Sequence, residues 1–189
     1  SLFINLDGAP TLEELRDFSR LCFTLQHTYG GYFYRIIFDD KGCNLQVFWG
    51  APTSYEKDVA RALNFILELR RGCNVKIRAG MTYRRAFAGF VGSSLYQEYT
   101  CYSRGVNLAA RLMSGAEWGE IYLSRELAEQ AGGQFSVEYV GERTYKGISD
   151  PQGVYRLLGA IAGARPAFFR GQLVGREQDI DALEKAVSP

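Results

Sequence analysis

Between residues 2 and 83 the chain switches between hydrophobic periods of about 2 and about 3.6 residues, in the order strand, helix, hairpin, helix, strand. Leu2–Leu6 is an apolar run closed by Asp7 and Gly8 and reads as a buried strand. Thr11 precedes Glu14 at capping-box spacing, and Leu15, Phe18, Cys22 and Leu25 follow on one helical face, so a helix is predicted over 11–28. Gly30 and Gly31 end it. Runs 32–38 and 44–49 flank Asp39-Asp40-Lys41-Gly42, the turn of a hairpin. After the breaker Gly50-Ala51-Pro52, a second helix carries Val59, Leu63, Ile66, Leu67 and Arg70 on one stripe, and 75–83 and 86–90 read as strands of a central sheet. This order predicts an α+β fold with a ferredoxin-like βαββαβ core, an antiparallel sheet with helices on one face. The other face, with the tyrosines and phenylalanines of 32–38, needs cover and predicts a partner chain.

The rest of the chain adds C-terminal strands and helices. Residues 104–114 read as a helix, 120–123 as a strand, Arg125–Ala131 as a short helix before Gly132-Gly133, and 135–140, 143–146 and 153–158 as strands. After Gly159 the character changes to small residues, Pro166 and the linker-like Phe168-Phe169-Arg170-Gly171. Leu173-Val174-Gly175-Arg176-Glu177, with Ile180 and Leu183, resembles the entry of an AAA-like ATPase module. The expected division is one domain over 1–159, then a linker and the start of a possible ATPase module over 160–189. Because it opens inside a strand, the chain is expected to be a piece of something longer.

Composition excludes several function classes. A net charge of +1 lacks the basic excess that nucleic-acid or membrane surfaces draw on, so neither partner is expected. Tyr32, Phe33 and Tyr34 could stack bases, yet no matching aromatic motif stands on a neighbouring strand, and packing at a dimer seam is preferred. Cys22, Cys43, Cys73 and Cys101 form no CxxC pair and His27 is the one histidine, which argues against a zinc cluster. Scattered thiols suit a reducing cytoplasm, and no apolar run reaches the ~18 residues of a membrane span. His27 reads as a helix cap, Trp49 and Trp118 as packing residues, and Met113 as part of a buried stripe.

The chemistry concentrates in Phe87-Ala88-Gly89-Phe90-Val91-Gly92, Glu98-Tyr99-Thr100 and Val106-Asn107-Leu108-Ala109-Ala110-Arg111-Leu112-Met113. A glycine-rich turn lets backbone approach a ligand closely. The following helix sets Asn107 and Arg111 four residues apart on one face. An amide and a guanidinium aimed into one cleft suit an anionic, oxygen-rich ligand such as a nucleotide. A solvated helix face is the plain alternative for that pair alone.

The whole string resembles the hallmark segment of the class III adenylyl and guanylyl cyclases. Phe48-Trp49-Gly50-Ala51-Pro52 after Lys41-Gly42 is similar to that family's first hairpin, and Tyr145-Lys146-Gly147 to its closing strands. The resemblance implies a head-to-tail dimer with active sites between two halves, where the ribose 3′ oxygen of ATP or GTP attacks the α-phosphorus. It implies that Asn107 orients the ribose and that Arg111 stabilises charge in the transition state. Thr100, seven residues before Asn107, takes the purine-reading position, as in the bicarbonate-responsive subgroup that includes soluble adenylyl cyclases. Arg35 takes the place of the purine-reading lysine; Arg35 and Thr100 are the nucleotide-binding pair.

At the metal positions the chain departs from the family. The first aspartate of a Phe-x-Asp-Ile-x-Gly pattern is Asn5, and the second, after the hairpin glycine, is Cys43. Neither offers the anionic oxygen magnesium prefers, and Asp7 is a poor substitute given magnesium's strict octahedral demands. The complement resembles the second half of tandem soluble adenylyl cyclases, inactive or nearly so alone. Magnesium or manganese is expected only in complex with a metal-bearing second cyclase domain; a homodimer of this chain would carry neither aspartate. The competing expectation is a catalytically dead, nucleotide-sensing or dimerising module that regulates an attached ATPase.

Overall fold

The computed structural model describes residues 1–39 and 42–163; Asp40, Lys41 and the ATPase-like segment at Leu173–Glu177 lie outside the described residues. The elements run β1 (Leu2–Leu6), α1 (Leu12–Tyr29), β2 (Tyr32–Asp39), β3 (Gly42–Phe48), α2 (Asp58–Gly72), β4 (Ile77–Met81), β5 (Phe87–Gly92), β6 (Gln97–Tyr102), α3 (Arg104–Gly115), β7 (Ile121–Ser124), α4 (Arg125–Ala131), β8 (Phe135–Arg143) and β9 (Gln152–Ala160). Thr11 caps α1 as expected: its hydroxyl accepts from the Glu14 amide and the Glu14 carboxylate accepts from the Thr11 amide. The amide of Gly30, at φ 68°, closes the helix on the Gln26 carbonyl.

Seven strands form one sheet in the order β2-β3-β1-β4-β7-β9-β8. Its first four strands, all antiparallel, are the βαββαβ core predicted from the alternating periods. β7 joins β4 in parallel, so the complete sheet is mixed. Leu2, Ile4 and Leu6 of β1 alternate onto one face and bury against Phe18, Cys22 and Leu25 of α1 and Leu63, Phe65, Ile66 and Leu69 of α2. Each such apolar side chain contributes roughly 1.5–3 kcal/mol when fully withdrawn from water.

Three expectations need correction. The helices are not confined to one face: α3 crosses the other, burying Leu108, Leu112 and Ala116 against Tyr122 of β7 and Val154 of β9. Residues 86–90 do not enter the central sheet. β5 pairs instead with β6 as a separate antiparallel ribbon, on which Phe87, Phe90, Val91 and Tyr102 remain exposed. β6 escapes a reading by hydrophobic alternation because it has no buried face. Finally, the strand expected at 143–146 is the end of β8, which stops at Arg143. Among the described residues no helix is long and apolar enough to cross a membrane.

The position of α3 depends on one residue of β4. A Cβ built on Gly80 would overlap the Ala109 carbonyl oxygen and the Met113 amide nitrogen of α3. Both are backbone atoms, so the helix cannot make room without lifting off the sheet. Gly80→Ala is expected to lower stability by about 3 kcal/mol, the upper end of ordinary overpacking costs. Gly159→Ala, where a Cβ meets nothing within 4 Å, serves as the control. Urea unfolding of the two variants against the wild type checks this.

Candidate active site

Ser103 begins α3. Its backbone is extended at φ −169°, and its hydroxyl accepts from the Val106 amide at 3.2 Å, satisfying one of the helix's free donors. Gly105, Leu108, Ala109, Leu112 and Met113 then face inward. The same periodicity turns Asn107 and Arg111 outward, one turn apart and both exposed. Neither side chain has a hydrogen-bond or ion-pair partner among the described residues, so an amide and a guanidinium stand ready on one stripe.

Just before α3, β6 delivers Thr100 to a polar cluster on β2. The Thr100 hydroxyl donates to the Tyr34 hydroxyl at 3.1 Å. Arg35 donates from Nη2 to that same tyrosine oxygen and, at 2.8 Å, to Oε1 of Glu98. Its guanidinium also lies over the Tyr34 ring, 4.1 Å from the centroid. A register shift between Phe33 and Arg35 allows neighbouring residues Tyr34 and Arg35 to serve one cluster. Tyr32 packs on Phe48 and Tyr99, at 5.0 and 5.2 Å between centroids, and holds the β5–β6 ribbon beside the sheet. Two of the aromatics expected at a dimer seam, Tyr32 and Tyr34, are thus half-buried within the chain.

The four residues singled out from sequence therefore lie along the β6–α3 unit and the β2 strand it leans on. Tyr34 and Glu98 were missed. Glu98 stands two residues before Thr100 on one strand, hence on the same face, a period-2 signal that needed β6 to be recognised first.

The adenylate and guanylate cyclase catalytic domain profile matches residues 53–159. This chain belongs to that family. Adenylate cyclase type 10 of Mus musculus is 28% identical over 138 residues, covering 68% of this chain, and the rat protein matches equally. The match spans only 8% of the length of those relatives. Among solved structures, the adenylyl cyclase CyaB from P. aeruginosa superposes with a TM-score of 0.76 at 22% identity, over 85% of this chain and 93% of that one. The guanylate cyclase domain of RhGC from Catenaria anguillulae, solved with GTP, gives 0.72 at 20% identity, over 85% and 95%.

The cyclase metal positions can now be tested for fit. Asn5 is fully buried on β1, directly across from Asn44 of β3 and Arg78 of β4. Its Oδ1 accepts from Arg78 Nε at 3.0 Å, while its Nδ2 donates to Asn44 Oδ1 at 3.0 Å and to the Cys43 carbonyl at 3.3 Å. That network fixes which end of the amide carries the protons. A guanidinium faces the oxygen, and acceptors face the nitrogen. Cys43 alternates onto the opposite face, among the apolar residues packed under α1 and α2, and burial pushes its thiol pKa up. A neutral thiol in an apolar core and an amide engaged by a cation do not fit a hard divalent ion. Among the described residues no cluster of three or more His, Cys, Asp or Glu could hold a metal.

Replacing Cys43 by Asp would send a carboxylate into the α1/α2 core rather than toward position 5. Cys43→Asp is expected to cost about 3–5 kcal/mol at neutral pH, far more than Cys43→Ala. Burial raises the folded-state pKa of such a carboxyl above its unfolded value of about 3.9. The deficit relative to Cys43→Asn should therefore shrink as the pH falls toward that value and grow above it. Denaturant titrations across pH 3.5–7 read the sign directly.

Proposed function

We propose that this domain is one half of a class III nucleotide cyclase converting ATP to cyclic AMP and pyrophosphate, and that its metals come from a partner half. The reading places it in a head-to-tail dimer with a second cyclase domain, in the cytoplasm, the active site lying between the two. The observation that carries it is the contrast between the two ends of the molecule. Asn107 and Arg111 project unengaged beside the Arg35–Tyr34–Thr100 cluster, whereas the metal positions are closed by an internal network.

In this reading the ribose 3′ oxygen attacks the α-phosphorus, the bond to the bridging α,β oxygen breaks, and pyrophosphate leaves. Asn107 holds the ribose so that the 3′ oxygen stays in line with the leaving group. Arg111 donates to the non-bridging oxygens as their charge redistributes, an interaction worth most in a water-poor cleft. Arg35 and Thr100 contact the purine. Magnesium or manganese, bound by the partner's carboxylates, would supply the activation of the nucleophile. Similarity to adenylate cyclase type 10 favours ATP as the substrate. The cyclase domain is read as ending at residue 159, with the possible ATPase module beyond it.

Mixed with a metal-bearing cyclase half, magnesium and ATP, the wild-type chain is expected to support cyclic AMP formation that neither half shows alone. Asn107→Ala and Arg111→Ala should each lower that rate by about 10²–10³-fold, as for single donors to developing charge. Because both residues are exposed and unpartnered, the variants should melt with the wild type. Tight ATP binding without turnover beside a competent partner would instead favour a nucleotide-sensing module that signals to an attached ATPase.

A further inference from the structure

The purine end of the site contains a charge that the function above does not use. Glu98 presents its Oε1 to Arg35 Nη2 at 2.8 Å, and both side chains are partly buried, at 40% and 38% exposure. Nε of the same arginine is buried and has no hydrogen-bond partner. An arginine in a base pocket has one strong preference: its fork donates two parallel hydrogen bonds to O6 and N7 of guanine, an arrangement adenine cannot accept because an amine replaces O6. Arg35 cannot offer that fork while Nη2 is committed to Glu98 and to the Tyr34 hydroxyl.

We propose that Glu98 is a specificity-determining residue that enforces adenine by occupying the guanine-reading fork of Arg35. The proposal rests on the cyclase reading above. With Nη2 held, Nε remains the one buried donor of Arg35 without a partner, and it can serve a single acceptor such as adenine N1. The second carboxylate oxygen of Glu98, which has no partner among the described residues, can accept from the adenine amine. Tyr34 completes the arrangement. Its ring supports the guanidinium plane and its hydroxyl joins Arg35 to Thr100, so the three side chains move as one unit rather than as independent contacts.

A different sign is chemically conceivable and separates the outcomes. A carboxylate that accepted from N1–H and the amine of guanine would favour GTP, and its removal would then disfavour GTP. Binding of α,β-methylene ATP and its GTP counterpart, which cannot cyclise, is measured by titration calorimetry on the full chain assembled with a metal-bearing cyclase half. The wild type is expected to prefer the ATP analogue. Glu98→Gln, nearly isosteric and checked for folding by its melting curve, should shift the ratio toward the GTP analogue by about tenfold, the low end of one bidentate arginine–guanine pair. Adding Arg35→Ala to Glu98→Gln should abolish the gained GTP affinity. A wild-type preference for GTP, or a ratio that stays put or moves toward ATP in folded Glu98→Gln, overturns the assignment while leaving the cyclase reading intact. If neither analogue binds the wild type, and Asn107→Ala and Arg111→Ala change nothing, the cyclase reading fails and this inference falls with it.

Discussion

Where α3 crosses β4, the two backbones approach so closely that only a hydrogen atom fits between them, and that hydrogen belongs to Gly80. The contact sits on the sheet face opposite α1 and α2, between Ile77, Ala79 and Met81, which point into the main core. α3 is therefore fixed in height by backbone rather than by adjustable side chains. Its inner stripe of Leu108, Leu112 and Ala116 fills a second, smaller core, and the outward projection of Asn107 and Arg111 follows from the helical period. A side chain at position 80 would displace the helix and with it both candidate catalytic groups, because packed interiors transmit strain instead of absorbing it.

The βαββαβ core was legible because each of its signals has a local physical cause. The capping residues of α1 satisfy particular backbone donors, and the apolar periods match the faces that are buried. The β5–β6 ribbon was not legible for the same reason inverted. A ribbon with no buried face leaves no alternation to find, and its place is set by contacts distant in sequence, such as Tyr32 with Tyr99 and Arg35 with Glu98. Asn107 and Arg111 could be read from a motif, and the structure agrees that they share an exposed stripe. Tyr34 and Glu98 could not, since their importance comes from a register shift in β2 and from a strand that patterning did not reveal.

Two asparagines illustrate how differently one residue type can be used. Asn107 is exposed, unpartnered among the described residues and dispensable to packing. Asn5 is fully buried and hydrogen-bonded at both ends of its amide, to Arg78, Asn44 and the Cys43 carbonyl. Buried polar groups are tolerated when satisfied in this way and are costly otherwise. The amide suits this place better than a carboxylate would, because its nitrogen faces two acceptors that a second oxygen would repel. The loss of aspartate at position 5 is thus accompanied by a neighbourhood organised around an amide, not by an empty space awaiting a metal ligand.

Stability and chemistry are consequently carried by separate residues. The apolar faces of β1, α1 and α2 and the Gly80 contact hold the fold, while Asn107 and Arg111 contribute little to it. An exposed arginine held by nothing retains its rotamer freedom, about 2 kcal/mol of which would be lost on ordering. That loss is recovered only when an anionic ligand arrives with enough oxygen acceptors to engage the fork. At the other end, Arg35 is already ordered by Tyr34 and Glu98, so a purine meets a preformed donor instead of having to organise one. A rigid base-reading end and a free phosphate-facing end give the two parts of a nucleotide different tasks: the base selects and seats the ligand, and the triphosphate then orders the group that acts on it.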